Sequence, residues 1–175
     1  MSVDNSFMIV EWNQFSSEYT ENSDSDFLIE LRDELDDYPN SSIIKNEWFE
    51  YLQLNLDIES ADYTGSLYEP VEEAKSTLTE DDYLLLKDVI GILNVDLTDP
   101  HNDLKLADPE YWIYSSYSPD SSSAMLKKIE KLSTRIDEWA FNLTIKEQFS
   151  SFCNEIKAIF SKAVSEKYGV LIAVG

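Results

Sequence analysis

The sequence is poor in the residues from which most enzyme sites are built. It has one histidine and one cysteine among 175 residues, too few for a usual structural zinc site, and it contains no HExxH motif. The single cysteine, Cys153, excludes an internal disulfide framework and fits a reducing compartment. The four glycines, at positions 65, 91, 169 and 175, lie too far apart for a dinucleotide fingerprint or a P-loop. A Ser-His-Asp or Cys-His arrangement would have to use His101, which sits in the turn-like stretch Asp99-Pro100-His101-Asn102-Asp103 and reads as a plain loop histidine. Cys153 falls beside Phe149, Phe152 and Ile156 and reads as a small core hydrophobe rather than a nucleophile.

Other absences narrow the class further. No apolar run approaches the roughly 20 residues of a membrane helix; the longest is Gly169 to Gly175. Met1 to Ser6 has neither the basic n-region nor the apolar h-region of a signal peptide. Asp24-Ser25-Asp26 begins like an EF-hand loop, but Ile29 stands where the sixth-position glycine belongs. Asp96, Asp99 and Asp103 lack the spacing and the glycine as well. Carboxylates are abundant, yet nothing singles out a pair for glycosidase chemistry. These observations predict a non-catalytic, cytoplasmic protein that holds no cofactor and no metal.

Positive charge is the other scarcity. Thirteen basic residues face 35 acidic ones, leaving a formal charge of -22. At 43% hydrophobic and 13% aromatic the chain is nevertheless too apolar for a disordered acidic tail, and its length suits one domain with a real core. The charge is segregated: residues 1–110 carry 28 acidic and 5 basic side chains, residues 111–175 carry 7 and 8. Residues 18–37 hold nine acids with only Arg32, and residues 57–82 hold nine with only Lys75. Solubility alone needs no such segregation, and like charges within about 8 Å of one another oppose folding. Segregated charge serves a protein that must steer toward an oppositely charged surface.

Periodicity supplies the elements. Phe7 to Trp12 reads as a buried strand and Glu18 to Asp26 as an acidic loop. Phe27, Leu31 and Leu35 mark a helix from Asp26 to Pro39. Leu52, Leu54, Leu56 and Ile58 alternate with polar residues, the clearest strand pattern in the chain. Pro70, Glu72 and Glu73 suggest a short helix, and Thr79-Glu80-Asp81-Asp82 resembles a capping box opening a helix with Leu86, Val89, Ile90 and Leu93 on its apolar face. Asp96 to Asp108 reads as a loop, and Tyr111 to Tyr117 has no clean period. Met125, Ile129, Leu132, Ile136 and Trp139 share one helical face, with the N-cap expected in Ser121 to Ser123. Thr144 to Glu147 forms a second capping box before Phe149, Phe152, Ile156, Ile159, Phe160 and Ala163. Gly169 is expected to stop that helix, with Val170 to Val174 a last strand. The expected class is α+β, helices in the majority and packed on a small sheet of non-adjacent strands, in a single domain spanning 1–175; a mainly helical bundle is the alternative. The acidic face comes mainly from 1–110 and the helical scaffold from 111–175.

Tyrosines are interleaved with the acids, and tyrosine gives interfaces large area at low entropic cost. The expected partner-binding residues are Asp33, Glu34, Asp36, Asp37, Tyr38, Tyr63, Tyr68, Glu72, Glu73, Glu80, Asp81, Asp82 and Tyr83. So negative a face repels phosphate backbones and anionic membranes, which predicts no direct nucleic-acid or membrane binding. A basic protein is its complement, and a nuclease, whose cleft must be basic, is the natural case.

With its size, its charge and acidic stretches such as Asp33-Glu34-Leu35-Asp36-Asp37 and Glu80-Asp81-Asp82, the chain resembles the acidic immunity proteins that bacteria pair with contact-dependent or other polymorphic nuclease toxins. The resemblance implies a small, cytoplasmic, non-catalytic inhibitor that binds a cognate basic toxin domain one to one. Two other readings share the electrostatics: a DNA-mimic inhibitor of a DNA-binding protein, which would compete with duplex DNA, and an acidic secretion chaperone, which would be a dimer holding an unfolded client.

Overall fold

A computed structural model of the chain describes residues 5–21, 44–45, 49–52, 71–72, 74–93, 103, 113–141 and 143–174. They form an α+β fold with helices in the majority. Its elements are β1 (Asn5–Val10), α1 (Trp12–Glu21), β2 (Ile44–Lys45), β3 (Phe49–Leu52), α2 (Glu80–Ile90) with a 3-10 turn at Gly91–Leu93, β4 (Ile113–Tyr117), α3 (Pro119–Ile136), α4 (Leu143–Glu166) and β5 (Gly169–Val174). The strands make one antiparallel sheet in the order β2-β3-β1-β5-β4. The first and last strands of the chain are therefore neighbours at its centre, Phe7 opposite Ile172 and Ile9 opposite Val170.

Side-chain alternation divides the centre of the sheet between two apolar layers. Phe7, Ile9, Tyr117, Val170 and Ile172 join the main core cluster with α2, α3 and α4. Met8, Val10 and Leu171, on the opposite face, are also fully buried but stand outside that cluster. The helices meet the sheet through the residues their periods mark. Met125, Ile129, Leu132 and Ile136 of α3 are buried, as are Phe149, Phe152, Cys153, Ile156, Ile159, Phe160 and Ala163 of α4. Phe160 sets its ring edge-on to Tyr117 at 5.5 Å. Each such large apolar side chain contributes about 1.5–3 kcal/mol on burial.

Several element ends differ from expectation. Trp12 begins a helix instead of ending a strand, and that helix continues through Glu21, so residues 18–21 are helical and not loop. The tract at Tyr111 to Tyr117 resolves as the edge strand Ile113–Tyr117. The N-cap of α3 is Ser118, whose Oγ accepts the Ser121 N–H at 3.2 Å, with Pro119 in the first turn. Ser122, inside the helix, donates its hydroxyl to Tyr117 O at 3.2 Å. Leu143 opens α4 one residue before the Thr144 box. At the other end of α4, Lys167 adopts the left-handed conformation at φ 60°, and Tyr168 N–H bonds back to Ala163 O at 2.8 Å. Gly169 starts β5, and a Cβ there would stand 2.7 Å from Tyr117 O and run into the Trp12 ring. Close approach, not helix termination, is what that glycine permits. The helix expected from Asp26 to Pro39 and the alternating Leu54, Leu56 and Ile58 lie outside the described residues.

Candidate partner-binding surface

The described part of the acidic region centres on α2. Thr79 is its N-cap, accepting the Asp82 N–H on Oγ1 at 3.2 Å, and Glu80, Asp81 and Asp82 fill the first turn, where the helix dipole favours negative charge. These three adjacent acids have different fates because a helix turns about 100° per residue. Glu80 and Asp81 are exposed; Asp82 is 7% exposed and points into the molecule.

Asp82 is bound by Arg135 near the end of α3, which donates from Nε to Oδ1 at 3.0 Å and from Nη2 to Oδ2 at 2.7 Å. This two-pronged geometry is the strong form of the carboxylate–guanidinium pair. The Arg135 guanidinium holds the Asp82 carboxyl below its ordinary value of 3.8, against the upward push of burial and with help from Thr79 and Trp139. Arg135 also binds Glu138 through Nη1. Six residues along α2, Asp88 meets Lys128 at 2.8 Å. With 82 paired to 135 and 88 to 128, the two helices run antiparallel and are joined by an ion pair toward each end of their seam.

On the solvent side, Tyr83 donates its hydroxyl to Glu72 Oε1 at 3.2 Å, and the Lys75 ammonium lies 5.8 Å from the centre of the same ring. Glu72, Lys75, Glu80 and Asp81 are exposed and Tyr83 is half-buried. Of the thirteen residues expected to bind a partner, the structure therefore brings Glu72, Glu80, Asp81 and Tyr83 to one accessible region. Asp82 departs from that expectation in its placement: it is 7% exposed and paired with Arg135, and it belongs to the α2–α3 seam and not to the accessible region. Asp33, Glu34, Asp36, Asp37, Tyr38, Tyr63, Tyr68 and Glu73 lie outside the described residues. So do His101, Asp24, Asp26, Asp96 and Asp99, while the Asp103 carboxylate accepts the Ser118 N–H at 2.6 Å. Among the described residues no cluster of three or more His, Cys, Asp or Glu could hold a metal ion, and no helix is long and apolar enough to cross a membrane.

No family model, no characterised protein and no solved structure matches this chain. The surface must be read from its own residues.

Sequence reasoning missed Leu84, which is 48% exposed. The signal was in the run Leu84-Leu85-Leu86: with Leu86, Val89 and Ile90 facing the core, Leu84 falls roughly 140° from Val89 and has to face outward.

Proposed function

We propose that this protein is an immunity-type inhibitor that binds and neutralises a basic toxin domain, a nuclease, through its acidic surface, acting in the cytoplasm and catalysing nothing itself. The observation that carries the reading is the confinement of the acid excess to residues before 111. Where that region is described, Glu72, Glu80 and Asp81 lie exposed beside the half-buried Tyr83. An acidic surface of this kind suits a basic nuclease cleft because it stands where substrate phosphates would stand, and opposite potentials speed the encounter. The ion pairs to Arg135 and Lys128 temper the charge at Asp82 and Asp88 and leave Glu80 and Asp81 facing solvent.

The test is native purification from the host at low salt, followed by assay of whatever is retained. A basic protein held one to one, whose nuclease activity is suppressed when this chain is added back, is the expected result. A retained protein that cuts nucleic acid equally well with and without the chain would contradict the reading.

A further inference from the structure

One side of α2 is built into the core and the other is not. Leu85, Leu86, Val89 and Ile90 are buried, whereas Glu80, Asp81, Leu84, Lys87 and Asp88 are exposed. Leu84 and Leu143 are the two large exposed hydrophobics among the described residues. Their settings differ. Leu84 has acids at all but one of the helix positions three and four residues away: Glu80, Asp81 and Asp88, with Lys87 the exception. Leu143, at the start of α4, has the single acid Glu147 a turn away. An apolar side chain within a charged rim is the arrangement of a protein-binding hot spot, in which the rim sets the rate of approach and the apolar centre the residence time.

We propose that the outward face of α2 is a docking face for a basic protein segment, with Leu84 entering an apolar socket on the partner and Glu80 and Asp81 meeting its cations. This deepens, and rests on, the inhibitor reading above. Charge complementarity selects the occupant: a nucleic acid or an acidic protein is repelled by the same carboxylates that attract a lysine- or arginine-rich segment. The side chain is also separable from folding, since alanine at an exposed helical position is at least as good a helix former as leucine.

The experiment titrates the full chain with two synthetic peptides of equal net charge, one of lysine alone and one placing leucines among lysines at helical spacing. Affinity is measured by calorimetry for the parent, E80K/D81K, L84A and L143A, with circular dichroism confirming that each is folded. E80K/D81K should weaken both peptides. L84A should leave the all-lysine peptide unchanged and remove an advantage of about tenfold for the leucine-containing one; L143A should keep that advantage. Persistence of the advantage in L84A, or its equal loss in L143A, overturns the assignment of Leu84 while leaving the electrostatic reading intact. Failure of both peptides to bind the parent overturns the two together. Self-association of the parent that disappears in L84A would assign the face to a second copy of this chain and overturn the basic occupant.

Discussion

Asp82 shows how far the role of one acid depends on its place on a helix. The two acids that precede it, Glu80 and Asp81, face solvent, while its own carboxylate is held by the Arg135 fork. Because the folded carboxyl titrates below its ordinary 3.8, the pair stabilises the fold fully above that value and the contribution is lost as pH falls through the lower, folded-state pKa. Asp82→Asn should therefore lower Tm at pH 7, with the gap to the parent closing as the pH is taken below 3.8. A gap that stays constant down to pH 2 would show that Asp82 is not ionised against Arg135. Cys153 gives a second residue-level prediction. Burial pushes its thiol up to about 12, with Ser133 pulling weakly the other way, so the thiolate that reacts with disulfide reagents is almost absent at neutral pH. Ellman's reagent should find no thiol in the native protein at pH 8 and one per chain in denaturant. Rapid labelling of the native protein would place the thiol at the surface.

Between α4 and β5, local backbone preference and packing act on neighbouring residues with opposite demands. Lys167 occupies the left-handed position that favours glycine, and Gly169 occupies an extended position where Trp12 and Tyr117 leave no room for a side chain. Lys167→Gly should stabilise by roughly 0.5–1 kcal/mol, whereas Gly169→Ala should destabilise by about 1–3 kcal/mol through overpacking; urea unfolding of the two variants measures both. Equal effects would mean that the turn, not the contact with Trp12, governs this junction. The same junction shows what was legible in the sequence. The core faces of α3 and α4 could be read from spacing alone, because burial on one side of a helix repeats with the backbone. The Gly169 contact was not legible, since Trp12 and Tyr117 are brought to it by strands and a helix distant in sequence. Nor was the strand at Ile113–Tyr117, whose buried Ser115 and Ser116 hide the usual apolar signal. The acids of α2 were visible as a cluster. Their division into inward Asp82 and outward Glu80 and Asp81 was also within reach, since Asp82 lies about 20° from Val89 on the helix; what the spacing could not show is that Arg135 lies across the seam to pair with it.

For the whole molecule, the segregation of charge along the chain is partly undone by folding. Arg135 and Lys128, from the near-neutral C-terminal region, reach Asp82 and Asp88, whereas Lys157 and Glu130, 3.7 Å apart, pair within that region between α3 and α4. The more exposed pairs, Lys128–Asp88 and Lys157–Glu130, contribute little each, and pairing within the chain leaves its net charge of -22 as a source of self-repulsion. Raising NaCl from about 10 mM to about 150 mM shortens the Debye length from roughly 30 Å to 8 Å and should raise Tm, by roughly 2–4 °C for each 1 kcal/mol of repulsion removed. A flat or falling Tm would mean that the acids are already balanced within the fold. The central claim, an acidic surface that captures a basic protein, is tested most directly by the association rate with the retained partner across a salt series, measured by stopped flow. The rate should fall steeply with added salt and should drop in E80K/D81K but not in K127E/K131E, whose exposed lysines lie on α3. Equal rates at low and high salt, or equal slowing by both double variants, would contradict it.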